Sequence, residues 1–128
     1  MGRRDEAVVA LEQALSLWEP LAATDPDPGR LRRRMARARQ QIGVIRLEDR
    51  PIEGLGPLLR AREIWGSLVA ADPADARSLA SLASVYHSLG HLRQAINQPE
   101  EAVRSYREGI KLAEIPVRSS RKQERDAG

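Results

Sequence analysis

The sequence predicts an all-α chain: antiparallel helical hairpins stacked as a short solenoid of five helices. Three observations carry this. Slid along itself by 47 positions, the chain overlays Arg3/Arg50, Glu6/Glu53, Leu11/Leu58, Ala14/Ala61, Trp18/Trp65, Leu21/Leu68, Ala23/Ala70, Asp25/Asp72, Pro26/Pro73, Arg30/Arg77, Ala36/Ala83, Gly43/Gly90 and Arg46/Arg93. A recurrence of about twenty to fifty residues marks a repeat array, whose units cannot bury their apolar faces alone. Within each unit the apolar residues return at three-four spacing, the period of a helix with one buried stripe. Asp-Pro pairs at Asp25-Pro26 and Asp72-Pro73 then stop one helix and start the next.

The first helix is predicted over about residues 6–24, with Ala7, Leu11, Ala14, Leu15, Trp18 and Leu21 as its stripe. Pro20 lies inside it, and an interior proline removes a backbone bond at a cost of about 3 kcal/mol, so a kink or a division is expected there. Thr24 to Gly29 (TDPDPG) is a stop-and-restart signal with Asp as the expected N-cap. The second helix spans about 28–47 on Leu31, Met35, Ala38, Ile42 and Ile45, and Glu48 to Pro51 forms a loop. The third spans about 55–71, with Gly54, Gly56 and Pro57 crowding its start and Leu58, Leu59, Trp65, Leu68 and Val69 following. The fourth covers about 75–95 on Leu79, Leu82, Val85, Tyr86, Leu89 and Leu92. The fifth covers about 99–114, opened by Pro99 after the turn Asn97-Gln98. Residues 1–115 read as one repeat domain. Residues 116–128 have no apolar period and read as a disordered tail.

Composition narrows the function. The chain has 128 residues, enough for one domain with a modest core. Aromatics are scarce, so Leu, Ala, Val and Ile must build that core. Without cysteine there is no disulfide or thiolate metal site, which leans towards a reducing compartment and a cytoplasmic location. No apolar run approaches the roughly 20 residues of a membrane span. The net charge is +3, with nearly all of the basic residues arginine. Catalysis has no foothold: the two histidines share one helix, and no Ser-His-Asp spacing occurs. No catalytic residue, cofactor or metal site is therefore expected.

The segment SVYHSLGHLRQAINQPEEAVRSYREGIKLAE resembles a tetratricopeptide repeat, a helix-turn-helix unit of about 34 residues. The residues that carry the likeness are Tyr86, Leu89-Gly90, Asn97, Glu101-Ala102, Tyr106 and Gly109. The preceding unit matches at Ile42-Gly43, but Arg39 and Leu58 replace the aromatics and Gly54 replaces the alanine. Both arms of its hairpin are longer than the family's by seven residues, about 10.5 Å of helix. Long repeats with Asp-Pro restarts are similar to the tetratricopeptide tails behind bacterial eukaryotic-like serine/threonine kinases. The resemblance implies a right-handed solenoid with helices in the order B-A-B-A-B. The first helix is then a second helix without its first, so either the array continues or a partner covers the open face.

What the resemblance implies is protein–protein interaction, with a peptide or helix held in a concave groove. Arg37, Gln40 and Gln41 of the second helix and Ser84, His87, Ser88 and His91 of the fourth fall on the groove-lining side. In RLRRRMARAR (Arg30 to Arg39), Arg30, Arg33, Arg34 and Arg37 share one face, either a solvated surface or a docking face for an acidic partner. Nucleic acid is the less favoured partner, because no aromatics accompany the arginines for base stacking. Two further readings stand beside these. One is self-association through residues 7 to 21. The other is a structural segment of a larger regulatory protein, such as a bacterial serine/threonine kinase.

Overall fold

A computed structural model describes residues 2–117 of the chain. Five helices follow one another, α1 (Arg3–Thr24), α2 (Gly29–Asp49), α3 (Pro51–Ala71), α4 (Ala76–Ala95) and α5 (Pro99–Ala113). Each packs on its neighbour in sequence, and α2 also meets α4. This is an all-α repeat arrangement, as the recurrence predicts, and it is consistent with the tetratricopeptide-like packing that the resemblance implies. Of the expected disordered tail, residues 116–128, residues 118–128 lie outside the described residues, and Pro116 and Val117 belong to no helix.

Two prolines lie inside continuous helices. Of the kink or division expected at Pro20, the division is absent, since α1 runs through it as one helix. Pro20 and Ser16 are both exposed, a setting in which water can satisfy the Ser16 carbonyl freed by the missing N–H. The start of α3 also differs. It begins at Pro51, not near residue 55, and continues through Gly54, Gly56 and Pro57. Only Arg50 separates it from α2, so the predicted loop reduces to one residue. Close packing accounts for the glycine: a Cβ on Gly54 would stand 2.9 Å from the Gly43 carbonyl oxygen and 3.1 Å from Leu92 Cδ1. Tertiary contact here outweighs a poor local helix propensity.

The two Asp-Pro restarts end differently. Before α4, Asp75 is the N-cap: one carboxylate oxygen accepts from the Arg77 N–H at 3.3 Å and the other from the Ser78 hydroxyl at 2.7 Å. Before α2, Pro28 holds the cap position and no side chain caps. The extra Asp-Pro pair displaces the carboxylate, and Asp25 instead accepts from the Asp27 N–H at 2.9 Å. Between α4 and α5, Asn97 turns the chain with φ 62°, and the Gln98 N–H closes on the Arg93 carbonyl at 2.7 Å. That is the left-handed helix stop for which Asn and Gly are suited.

The core has two parts. The larger joins α2, α3 and α4 through Ala36, Leu58, Ala61, Trp65, Leu82, Val85, Leu89 and Leu92. The smaller holds α1 on α2 through Val8, Leu15, Met35, Ala38 and Ile42. Trp65 is 1% exposed, whereas its counterpart Trp18 is half-buried, because α1 has a neighbour on one side alone. Leu17 and Leu21 of α1 remain 69% and 56% exposed.

Candidate protein-interaction site

The basic cluster separates into tied and free arginines. On α2, three-four spacing puts Arg30, Arg33, Arg34 and Arg37 away from the buried Met35, Ala36, Ala38 and Ile42. Arg32 donates to the Ser67 hydroxyl of α3 at 2.9 Å, and Arg39 donates to Glu19 of α1 at 2.8 Å. Among the described residues the other four form no ion pair. Arg30, Arg34 and Arg37 are exposed and Arg33 is half-buried, so the guanidinium groups border water outside any ion pair among the described residues.

The polar residues expected on one groove divide among neighbours. Gln40 donates to the Ser84 hydroxyl at 2.9 Å, tying α2 to α4. Ser88 is buried, so its hydroxyl does not face an open groove. Arg37, Gln40 and Gln41 line a groove of about 680 Å³ against α1, whose floor is Ala7, Ala10, Leu11, Val44 and Ile45. His87 and His91 turn the other way, towards α5. Their Nε2 atoms are 3.1 Å apart, one ring donating to the other, and both rings meet Tyr106 edge-on at 5.8 and 5.7 Å. The Tyr106 hydroxyl donates to Gln94 at 2.9 Å, and His87 borders a second groove of about 410 Å³ with Gly109, Ile110 and Ala113. Among the described residues no group of three metal-ligating side chains comes together.

One charged centre was not anticipated from the sequence. Arg46, 7% exposed, reaches Asp5 of α1 at 2.9 Å, Asp49 at 2.9 Å and Glu53 of α3 at 3.6 Å. Arg50 joins it through Asp5 at 3.1 Å and Glu53 at 3.6 Å. The hydrogen bond from Arg46 holds the Asp5 carboxyl below its usual range against the opposing effect of burial, and Arg50 adds to it. Burial works against the charged Arg46, but Asp5, Asp49 and Glu53 outweigh it and raise its pKa. This network fixes α1, α2 and α3 to one another at the end where the chain starts. Arg46 does have a sequence signal, the recurrence Arg46/Arg93, but nothing in that pairing says which of the two is buried.

No described helix is long and apolar enough to cross a membrane. A family model described as tetratricopeptide repeat matches residues 76–108 and, in a second register, 83–116. No curated protein and no solved structure matches the chain. Repeats of this family generally mediate protein–protein interaction. The match covers the α4–α5 hairpin, residues 76–116, and supports a repeat of the tetratricopeptide type there, while the 47-residue recurrence relates α1 to α3 and α2 to α4.

Proposed function

We propose that this protein is a non-catalytic interaction module that takes an acidic peptide or helix along the outward face of α2. The carrying observation is that Arg30, Arg33, Arg34 and Arg37 lie on one face without a carboxylate partner among the described residues. Arg32 and Arg39, on the flanks of the same run, are spent on α3 and α1, so the run has both a structural edge and a free face. A guanidinium offers paired donors that match a carboxylate. The Gln40–Ser84 bond keeps α2 and α4 in fixed relation, and the exposed Gln41 adds a polar side chain to α2 beside Arg37.

A fluorescent peptide rich in Glu should bind the chain, more weakly as salt rises, because exposed charges are screened beyond roughly 8 Å at physiological ionic strength. Changing Arg33, Arg34 and Arg37 together to Gln should weaken it without loss of helix, since Gln is a good helix former. Unchanged affinity in that variant returns the cluster to a solvated face. Random DNA that outcompetes the peptide at equal charge makes nucleic acid the partner instead. Self-association through residues 7 to 21 is a competing use of the exposed α1 stripe, and light scattering on the isolated chain separates it from the docking described next.

A further inference from the structure

The recurrence of 47 residues relates the groove between α1 and α2 to one that is filled. Adding 47 to its lining turns Ala7 into Gly54, Leu11 into Leu58, Arg37 into Ser84 and Ile45 into Leu92. Those four residues, on α3 and α4, surround α2 itself. A Cβ on Gly43 would stand 2.6 Å from Leu58 Cδ2, the Gly43 carbonyl crosses Gly54, and Gln40 bonds Ser84. One turn on, Arg46 Nε lies 3.6 Å from Glu53. Further along α3, Ile64 and Leu68 are half-buried against the core, whereas their counterparts Leu17 and Leu21 are exposed. At Ala7, Leu11, Arg37 and Ile45 the groove at α1 therefore repeats an interface already present in the molecule, while Gln40 and Val44 match His87 and His91, which face Tyr106.

We propose that the α1–α2 groove is a docking site for one amphipathic helix of the α2 and α4 type. Both of those helices carry a glycine followed three residues later by arginine, Gly43–Arg46 and Gly90–Arg93. Placed by the same relation, the glycine of the incoming helix lies over Leu11 and its arginine reaches Glu6, the counterpart of Glu53. Glu6 is exposed and forms no ion pair among the described residues, so that charge is available. The residue three before the glycine, in the place of Gln40, meets Arg37, and an acidic side chain there adds a second charge match. The apolar flank of the helix covers Leu17 and Leu21. Ala7 stands where the filled groove has Gly54, so the incoming backbone rides slightly higher at that point. This docking shares Arg37 with the arginine face, but Glu6 and Ala10 lie on α1, so Glu6→Gln and Ala10→Trp test it apart from Arg30, Arg33 and Arg34.

The probe is a synthetic peptide of residues 75–96 of this chain, which carries Gly90 and Arg93 with little net charge, titrated into the full chain by fluorescence anisotropy. Binding is expected, with a loss of more than about tenfold for the Gly90→Leu peptide. Arg93→Gln in the peptide and Glu6→Gln in the chain should each weaken it roughly two- to fivefold, with no further loss when combined. Ala10→Trp, at an exposed position, should block the groove while circular dichroism shows the chain folded. No binding by the unmodified peptide overturns the proposal. So does binding indifferent to Ala10→Trp and Glu6→Gln, the signature of exchange with the chain's own α4. Self-association of the chain that Ala10→Trp abolishes assigns the groove to a second copy and overturns it too.

Discussion

At the scale of single residues, three glycines have different standing. A Cβ on Gly90 would run into the Tyr106 ring, 2.6 Å from Cζ and 2.7 Å from Cδ1. On Gly109 it would meet the Ala83 oxygen at 3.4 Å and Tyr86 Cβ at 3.5 Å, which is ordinary contact. Gly90→Leu should therefore cost about 1–3 kcal/mol or more, while Gly109→Ala should gain up to about 1 kcal/mol from better helix propensity. Thermal melts of the two variants check this, and equal melting temperatures would refute the crossing geometry. Gly43 resembles Gly90, with Leu58 in the place of the tyrosine, so the first hairpin closes on an aliphatic side chain where the second closes on a ring.

Asp5 gives a residue-level pH dependence. Its carboxyl is lowered below its unfolded value by the Arg46 hydrogen bond, so the folded state holds the ionised form more strongly. The stabilisation is present above the ordinary carboxylate range, about pH 4, and is lost as pH falls through the lowered value. Amide exchange in the first turns of α1 should accelerate in acid before that of α4. Asp5→Asn should give the same acceleration at neutral pH and remove the acid dependence.

Among the elements, α1 has the least support. It packs on α2 alone, and Pro20 interrupts its backbone bonding. Pro20→Ala restores the missing N–H at an exposed site. Interior proline costs about 3 kcal/mol, offset by up to about 1 kcal/mol of unfolded-chain entropy that the ring removes. The variant should be stabilised by about 2 kcal/mol, read as a raised midpoint in urea. An unchanged midpoint would mean that α1 unfolds independently of the rest. Pro57 in α3 is half-buried and lines a groove of about 310 Å³ with Val8, Leu15 and Ile42, so its removal opens space as well as adding a bond.

For the molecule as a whole, stacking makes equivalent positions unequal. Trp65 lies in the core shared by α2, α3 and α4, and Trp18 in the smaller cluster that α1 makes with α2. Trp65→Ala should cost about 3–5 kcal/mol, the range for a buried large aromatic, and Trp18→Ala distinctly less. Denaturant unfolding of both variants measures the gap. It should narrow when a helix occupies the α1–α2 groove, because Trp18 then gains a second neighbour.

The sequence by itself determined the all-α class, the recurrence and the α4–α5 hairpin. Helical period, Asp-Pro restarts and the Tyr86, Gly90, Tyr106 pattern are local signals, and each resides in residues near one another in the chain. It also marked Gly43 and Gly90, because only close approach of two helices explains a glycine recurring at such positions. Tertiary structure decided the rest. The helical start of α3 through Gly54 and Pro57 depends on α2 lying against it. Which Asp caps a helix depends on the path of the turn, and the Asp25 carboxylate is drawn to Asp27 where Asp75 reaches Arg77 and Ser78. The division of the polar groove residues, Ser84 towards α2 and His87 and His91 towards Tyr106, follows from α4 having neighbours on both sides. Arg46 became a buried centre because Asp5 and Glu53, 48 residues apart in the chain, converge on it from α1 and α3. Convergence of that kind is a property of packing, and no local pattern encodes it.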